Sequence, residues 1–193
     1  MNILVLIGHQ NPGSFCHAIA AAAVEELKAA GHEVVYHDLY AEKFDPILPH
    51  EEIPSDAALD PVVARHCREV TAADGYLVVH PNWWAMPPAI LKGWLDRVWR
   101  QGVVYRFGPS GVEPLVGGRR AVVFTTSNTP RDDELRLFGD PLENLWKACV
   151  FNFVGIENFV RRNFESIIIS TSEQRRGWLE EVRRIVRERF PKQ

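Results

Sequence analysis

Cysteine is scarce in this chain: there are three, Cys16, Cys67 and Cys149, each isolated in the sequence. No CxxC pair is present to suggest a dithiol or a zinc site, and an odd count argues against a disulfide framework. Free thiols of this kind suit a reducing compartment. Basic charge is not in excess either, with 22 Lys and Arg against 25 Asp and Glu and a formal net charge of -3. That balance sets nucleic acid and anionic membrane aside as main partners. Long apolar runs are missing too. The first one, Ile3 to Ile7, is ended by Gly8, whereas a membrane span needs about 20 apolar residues and a secretory signal a basic start with a longer apolar stretch. The expectation is a soluble, cytoplasmic protein with no membrane insertion. There is no internal repeat, no low-complexity segment, and no GxSxG, HExxH or Walker A motif, so neither a nucleophile elbow nor a metal ligand set is indicated.

What is present fits one compact domain over 1–193, with 46% hydrophobic residues. A chain of this size buries roughly 70% of the surface that its unfolded form exposes. Short apolar runs alternate with helical patterns. Ile3–Ile7 and Gly75–His80 read as strands buried on both faces, and Ala121–Thr126 as another strand. Glu33–Asp38 alternates as a strand near a sheet edge does, and Glu157–Val160 reads as a short strand. Helices are expected from about Ser14 to Ala30, from Asp60-Pro61 to about Ala73, from Pro87-Pro88 to about Gln101, over 140–152, and from Ser172 to Phe190. Residues 41–58 read as a surface connection. Strands separated by helices imply a doubly wound parallel sheet covered on both faces, whose ligands lie beyond the carboxyl ends of its strands.

Three loops fall at that end. Gly8–Cys16 joins the first strand to the first helix, where free N–H groups suit a phosphate and Ser14 adds a hydroxyl. Ser14 has the equal alternative of serving only as a helix cap. His80–Pro88 carries Trp83 and Trp84 side by side. Two adjacent tryptophans cannot easily point into one core, and flat aromatics beside exposed N–H groups suit a planar heterocycle. Thr125–Pro130 offers small hydroxyl and amide groups that could bond the edge of such a ring. It also has the makings of an ordinary turn. Anion, ring face and ring edge together are what a flavin nucleotide needs. His9 and His80 flank this region, and neither is assigned a proton-transfer role.

The stretches GHQNPGSF, HPNWWAMPPAILKGWLDRV and FTTSN resemble the flavodoxin-like NAD(P)H:quinone oxidoreductases. This group includes DT-diaphorase, the bacterial modulator-of-drug-activity and potassium-efflux ancillary proteins and, more distantly, the azoreductases. The similarity runs from residue 1 to about 165, and PAILKGW is its most specific part. It implies a flavodoxin-like five-stranded parallel sheet in the order 2-1-3-4-5. It implies FMN, with FAD as the alternative, and NAD(P)H as co-substrate. Hydride would pass through the flavin N5 to a quinone or a similar small-molecule acceptor. By position, His9, Ser14, Phe15 and Cys16 match the segment that holds the flavin phosphate and ribityl chain. Pro81, Asn82, Trp83, Trp84 and Ala85 match the loop against the ring. Thr125, Thr126, Ser127 and Asn128 match the loop on its pyrimidine side. Tyr105 and Phe107, with Trp84, match a substrate pocket shared between subunits, which implies a homodimer.

The chain departs from the pattern in three places. Phe138 stands where the mammalian-type enzymes have a histidine, Asp132 and Asp133 fall near their tyrosine, and Cys16 replaces an asparagine. The helix after Pro87 carries Ile90, Leu91, Trp94, Leu95, Val98 and Trp99, more than one core-facing stripe needs. Gly93 on it permits a close approach. Either the helix is deeply buried within its own chain or one side packs on a twin, and the dimer is the preferred reading. The arginine-dense segment after Arg175 interleaves with glutamates as a solvated ion-paired face does. The alternative function is that of a flavodoxin-like electron carrier, or of a regulatory flavoprotein partner of a membrane transporter. A steady-state assay with nicotinamide and quinone separates the two. A receiver domain would need paired acids after the first strand, where Gly8-His9-Gln10 stands.

Overall fold

In the computed structural model, which describes residues 1–192, the elements follow one another as strand and helix almost throughout. They are β1 (Asn2–Ile7), α1 (Phe15–Ala29), β2 (Glu33–Asp38), α2 (Pro61–Ala72), β3 (Gly75–Pro81), α3 (Ala89–Val98), β4 (Tyr105–Gly108), β5 (Gly111–Pro114), β6 (Arg120–Thr126), α4 (Arg131–Asp133), α5 (Pro141–Asn144), β7 (Asn158–Phe164) and α6 (Ser172–Arg189). Five strands form one parallel sheet in the order β2-β1-β3-β6-β7. Counted within that sheet alone, this is 2-1-3-4-5, as the resemblance implies.

The period of two along each strand decides which core a side chain enters. Leu4, Leu6, Tyr76, Val78, Ala121 and Val123 face one cluster, covered by α2, α3 and the turn around Trp146. Ile3, Val5, Ile7, Leu77, Val79, Val122 and Phe124 face the other, beneath α1 and α6. Each fully buried aliphatic side chain of this size contributes roughly 1.5–3 kcal/mol, so the three central strands are the anchor on which the loops are mounted. At the edge, β2 leaves Glu33 and Tyr36 exposed and buries His37, with Val34, Val35 and Asp38 between, so its edge position is as expected but its burial is graded rather than alternating.

Four features differ from the sequence expectations. The stretch from Glu157 is a full edge strand reaching Phe164, because Asn163 and Phe164 are buried at its far end. Residues 105–114 form an antiparallel hairpin, β4 with β5, outside the main sheet. The helix expected over 140–152 begins as α5 and widens into a π-turn over Leu145–Phe151. A short helical segment, α4 with its π-wound continuation Glu134–Phe138, follows the third loop.

Helix α3 is buried within its own chain. Ile90, Leu91, Trp94, Leu95 and Val98 are all in the core. Gly93 lies against the 41–58 connection, where an added Cβ would come 2.2 Å from the Pro46 carbonyl oxygen. The wide apolar face and the glycine are therefore accounted for without a twin. Beside it, Glu42 bonds Nδ1 of His37 at 2.7 Å and lies 3.2 Å from Nε2 of His66, and Glu69 bonds His37 Nε2 at 2.7 Å. His37, Glu42 and His66 have the spacing of a metal site, with ligand atoms within 4.8 Å of one another. Trp94 Nε1, however, donates to His66 Nδ1 at 2.9 Å. An indole N–H only donates, so the His66 proton sits on Nε2, which then donates to Glu42 rather than ligating. Among the described residues no helix is long and apolar enough to cross a membrane.

Candidate functional site

Strands β1, β3 and β6 are parallel neighbours, so the loops that follow them emerge on one rim. After β1 the chain turns on its own side chains. His9 Nδ1 accepts from the Asn11 N–H at 3.0 Å, Asn11 Oδ1 accepts from Gly13 N–H at 3.0 Å, and the Asn11 carbonyl accepts from Ser14 N–H at 3.0 Å. His9 therefore keeps its Nε2 for donation. Ser14 is the N-cap of α1, and its Oγ lies 2.9 Å from His17 Nδ1. Nε2 of His17 in turn lies 3.0 Å from Asp38 at the end of β2. The backbone N–H groups of Phe15 and Cys16 donate to no acceptor among the described residues, which is the usual condition of a helix start and the usual basis of an anion site.

The side chains of Phe15 and Cys16 go elsewhere. Phe15 packs edge-on against Phe164, with ring centroids 6.2 Å apart, and against Trp178 of α6. Cys16 is buried, its Sγ 3.3 Å from Thr126 Oγ1, and burial pushes its thiol up to about 12. A thiol held neutral in this way is a packing group, not a nucleophile.

The second loop is a tight turn. Trp83 and Met86 exchange N–H···O bonds of 3.0 Å in both directions. Trp84 and Ala85 between them have φ of 54° and 60°. Two successive left-handed residues closed by a reciprocal pair make a type I′ turn, a conformation that glycine and asparagine adopt readily. The turn holds the Trp84 ring 99% exposed, so neither tryptophan plugs the rim with its side chain buried in the core. Behind it, Pro81 accepts from His80 Nδ1 at 2.8 Å, and the Asn82 side chain donates to Glu134 Oε1 at 2.8 Å.

The third loop spends its hydroxyls internally. Thr125 Oγ1 donates to Asn163 Oδ1 at 2.8 Å and accepts from Arg161 at 2.9 Å. Asn163 Nδ2 donates to Ser127 Oγ at 3.0 Å, and Asn128 Oδ1 accepts from Ile168 N–H at 3.1 Å. Arg161 is itself paired with Asp140 and Glu143. The hydroxyls of Thr125 and Thr126 therefore brace the rim from below. The backbone N–H groups of Asn128 and Thr129, like those of Trp84 and Ala85, donate to no acceptor among the described residues.

A cavity of about 420 Å³ opens between the second and third loops, lined by Asn82, Trp84, Ala85, Ser127, Asn128, Thr129, Glu134 and Phe138. That is within the range of small-molecule and cofactor sites. Four of the ring-contacting residues expected from the sequence beyond Trp84, namely Asn82, Ala85, Ser127 and Asn128, line it. Pro81, Thr125 and Thr126 are buried and outside that lining, Trp83 is exposed and outside it, and the β1 loop lies further along the rim. Tyr105 and Phe107 are not in it: they sit on the β4–β5 hairpin with ring centroids 5.7 Å apart, Phe107 exposed.

Sequence reasoning missed Glu134 and His17, and had Thr129 only as a member of the third loop. For His17 a signal existed, since it lies three residues after the capping serine and so returns to it on the first turn. For Glu134 there was none, because Asp132-Asp133-Glu134 gives no hint of which acid turns inward.

The family model of the flavodoxin-like fold matches residues 1–186. An NAD(P)H oxidoreductase of Haemophilus influenzae is 31% identical over 185 residues, covering 93% of this chain and 91% of that protein. The guinea pig (Cavia porcellus) NAD(P)H dehydrogenase [quinone] 1 is 32% identical over 177 residues, covering 80% of this chain and 64% of that enzyme. Among solved structures, the NAD(P)H:quinone oxidoreductase of Methanothermobacter marburgensis superposes with a TM-score of 0.87 at 26% identity, covering 97% of this chain and 98% of that one. The chain belongs to the flavodoxin-like-fold family that includes these NAD(P)H oxidoreductases.

Proposed function

We propose that this protein is a flavin-dependent NAD(P)H oxidoreductase, with FMN as its cofactor and a quinone or similar small oxidised molecule as its acceptor. One observation carries the reading. Unengaged backbone donors occur at three places on a single rim, at Phe15 and Cys16, at Trp84 and Ala85, and at Asn128 and Thr129. The first set suits a phosphate at a helix start, and the other two flank a cavity of about 420 Å³. A flavin mononucleotide has an anion at one end and a flat ring with carbonyls and ring nitrogens at the other, so its chemistry fits the donor set. The names of the relatives supply nicotinamide as the reductant.

When bound, the flavin would supply reversible two-electron hydride chemistry. The chain's own residues bind and orient. The amides of Phe15 and Cys16, with Ser14 and His9, hold the charged tail. Trp84 and Ala85 face the ring, and the Asn128–Thr129 backbone meets its edge. The polar brace of Arg161, Thr125, Asn163 and Ser127 keeps that backbone from collapsing into the opening. No protein nucleophile is required.

The same reading keeps a symmetric dimer, because Tyr105 and Phe107 lie outside their own cavity and could serve only that of a second copy. It also keeps a reducing, cytoplasmic setting, since all three cysteines are free thiols. The test is direct. Purified protein should be yellow, release FMN on heating as identified by mass spectrometry, and oxidise NAD(P)H with an artificial quinone. Colourless protein that takes up neither FMN nor FAD would overturn the reading.

A further inference from the structure

Glu134 is buried at 4% exposure on the wall of the cavity. Its two carboxyl oxygens are unequal. Oε1 accepts from the Asn82 side chain at 2.8 Å, whereas Oε2 is buried and has no hydrogen-bond partner among the described residues. A bare carboxylate oxygen in that position carries the full cost of desolvation, but a carboxylic acid changes the account. Oε1 is then the carbonyl that Asn82 fixes, and Oε2 is a hydroxyl, a buried donor on a residue of the cavity wall with nothing in the protein to receive it.

We propose that Glu134 is carried as the neutral acid and is the proton donor for the acceptor reduced in this cavity. The inference rests on the oxidoreductase reading given above and adds to it the residue that completes the reaction. Reduction of a quinone by NAD(P)H consumes one further proton: quinone, NAD(P)H and H⁺ give hydroquinone and NAD(P)⁺. The hydride carries both electrons and leaves an oxyanion on the acceptor. The Glu134 Oε2–H bond breaks, a new O–H bond forms on that oxygen, and the carboxylate is reprotonated from solvent. No other cavity-lining side chain can do this. Asn82, Asn128, Ser127, Thr129 and Trp84 do not part with a proton in this range, and Ala85 and Phe138 have none to give.

The surroundings support the neutral form. Burial, and next the Asp140 carboxylate, push the Glu134 carboxyl above its usual range, with Glu165 adding to them. The Arg161 guanidinium and the Asn82 amide oppose this without cancelling it. Arg161 is also occupied by Asp140 and Glu143.

Two measurements test the proposal. In the infrared spectrum of the resting protein at neutral pH, the carbonyl stretch of a protonated carboxylic acid should be present and should vanish in Glu134→Gln. This readout needs no flavin, so it holds whether or not the oxidoreductase reading survives. Its absence from the wild-type spectrum would overturn the proposal. In turnover, ferricyanide accepts electrons without protons whereas a quinone requires them. Glu134→Gln should therefore lower the ratio of quinone to ferricyanide rates by about 100-fold, at the low end of what a positioned general acid contributes. Glu134→Asp, which keeps an acid, should recover part of that ratio. Equal losses with both acceptors would mean a structural role and would sink the proposal. Wild-type protein that binds no flavin would sink the parent reading instead.

Discussion

His17 stands between Asp38 and Ser14, with Nε2 3.0 Å from the Asp38 carboxylate and Nδ1 2.9 Å from the serine hydroxyl. Asp38 is fixed in its turn by the N–H groups of Tyr40 and Ala41, each donating to Oδ1 at 3.1 Å. The edge strand β2 thus reaches across to orient the hydroxyl at the start of α1. With Asp38 replaced by Asn, the ring can reverse its donor and acceptor nitrogens and the orientation of Ser14 is lost. Asp38→Asn should weaken FMN binding by about tenfold, roughly the 1.4 kcal/mol of one charge-assisted hydrogen bond. Fluorescence titration of the flavin-free protein measures it, and unchanged affinity would remove the pair from the cofactor site.

The turn at Trp84 and Ala85 holds two ordinary residues at positive φ. Such conformations cost of order 1–3 kcal/mol each and persist where a structure over-determines them. Ala85→Gly should relieve one of them and raise stability to denaturant by about 1 kcal/mol after the entropy of the added glycine is paid. Trp84→Ala should leave stability nearly unchanged, because the ring is 99% exposed and buries nothing. The same change should weaken flavin retention. Substantial unfolding on Trp84→Ala would show the ring to be a packing residue.

Most of the architecture was legible in the sequence because the central strands Ile3–Ile7 and Gly75–His80 are apolar on both faces, a pattern that only a covered parallel sheet demands. Edge elements were less so. The second half of β7, Arg161–Phe164, mixes charged and apolar residues, and its strand character comes from pairing with β6 rather than from pattern. The β4–β5 hairpin was hidden by residues of weak alternation. At the site, the loops were legible by their place after strands, but the division of labour within them was not. Thr125 reads as a ligand-facing hydroxyl, and only the tertiary partner Arg161, 36 positions away, shows it to be a brace. Likewise, no periodicity distinguishes Glu134 from the two acids before it.

His80 gives the fold an acid-sensitive point. Its Nε2 accepts from Trp146 Nε1 at 2.9 Å while Nδ1 donates to the Pro81 carbonyl, so the buried ring is neutral. Burial, more than any neighbour, pushes it down to about 4 from 6.5. A histidine depressed in the folded state binds its proton first in the unfolded chain. Its contribution is therefore intact above pH 6.5 and is lost progressively as the pH falls towards 4. The loss amounts to about 3 kcal/mol at that end. In His80→Gln the slope of urea stability over this window should flatten, although the variant is less stable at neutral pH because the Trp146 bond is disturbed. An unchanged acid slope would show that other groups govern it.

On the edge strand β2, His37 works with the reverse sign. Burial alone would lower it, but the carboxylates of Glu42 and Glu69 on its two ring nitrogens outweigh that and raise it. A raised histidine contributes fully below 6.5 and loses its contribution as the pH climbs through the higher folded value. Removing one partner with Glu69→Gln should shift this alkaline decline to lower pH. Denaturation midpoints compared from pH 6 to 9 would show it, and identical curves for the variant and the parent would refute it.

Glu134 ties the site to stability. Its folded carboxyl lies above the ordinary 4.5, with burial as the first cause. Above pH 4.5 the unfolded chain releases this proton while the folded protein keeps it or pays to lose it, so the residue lowers stability as the pH rises through the gap between the two values. An amide of the same shape does not titrate. Glu134→Gln should therefore be more stable than the parent at pH 7 and no more stable at pH 4, because the variant is free of the linkage cost of a raised buried carboxyl. Urea denaturation at the two pH values measures the difference. A variant less stable than the parent at both would mean that Oε2 has a partner in the folded protein, and that the carboxyl is there to hold the loop rather than to give up its proton.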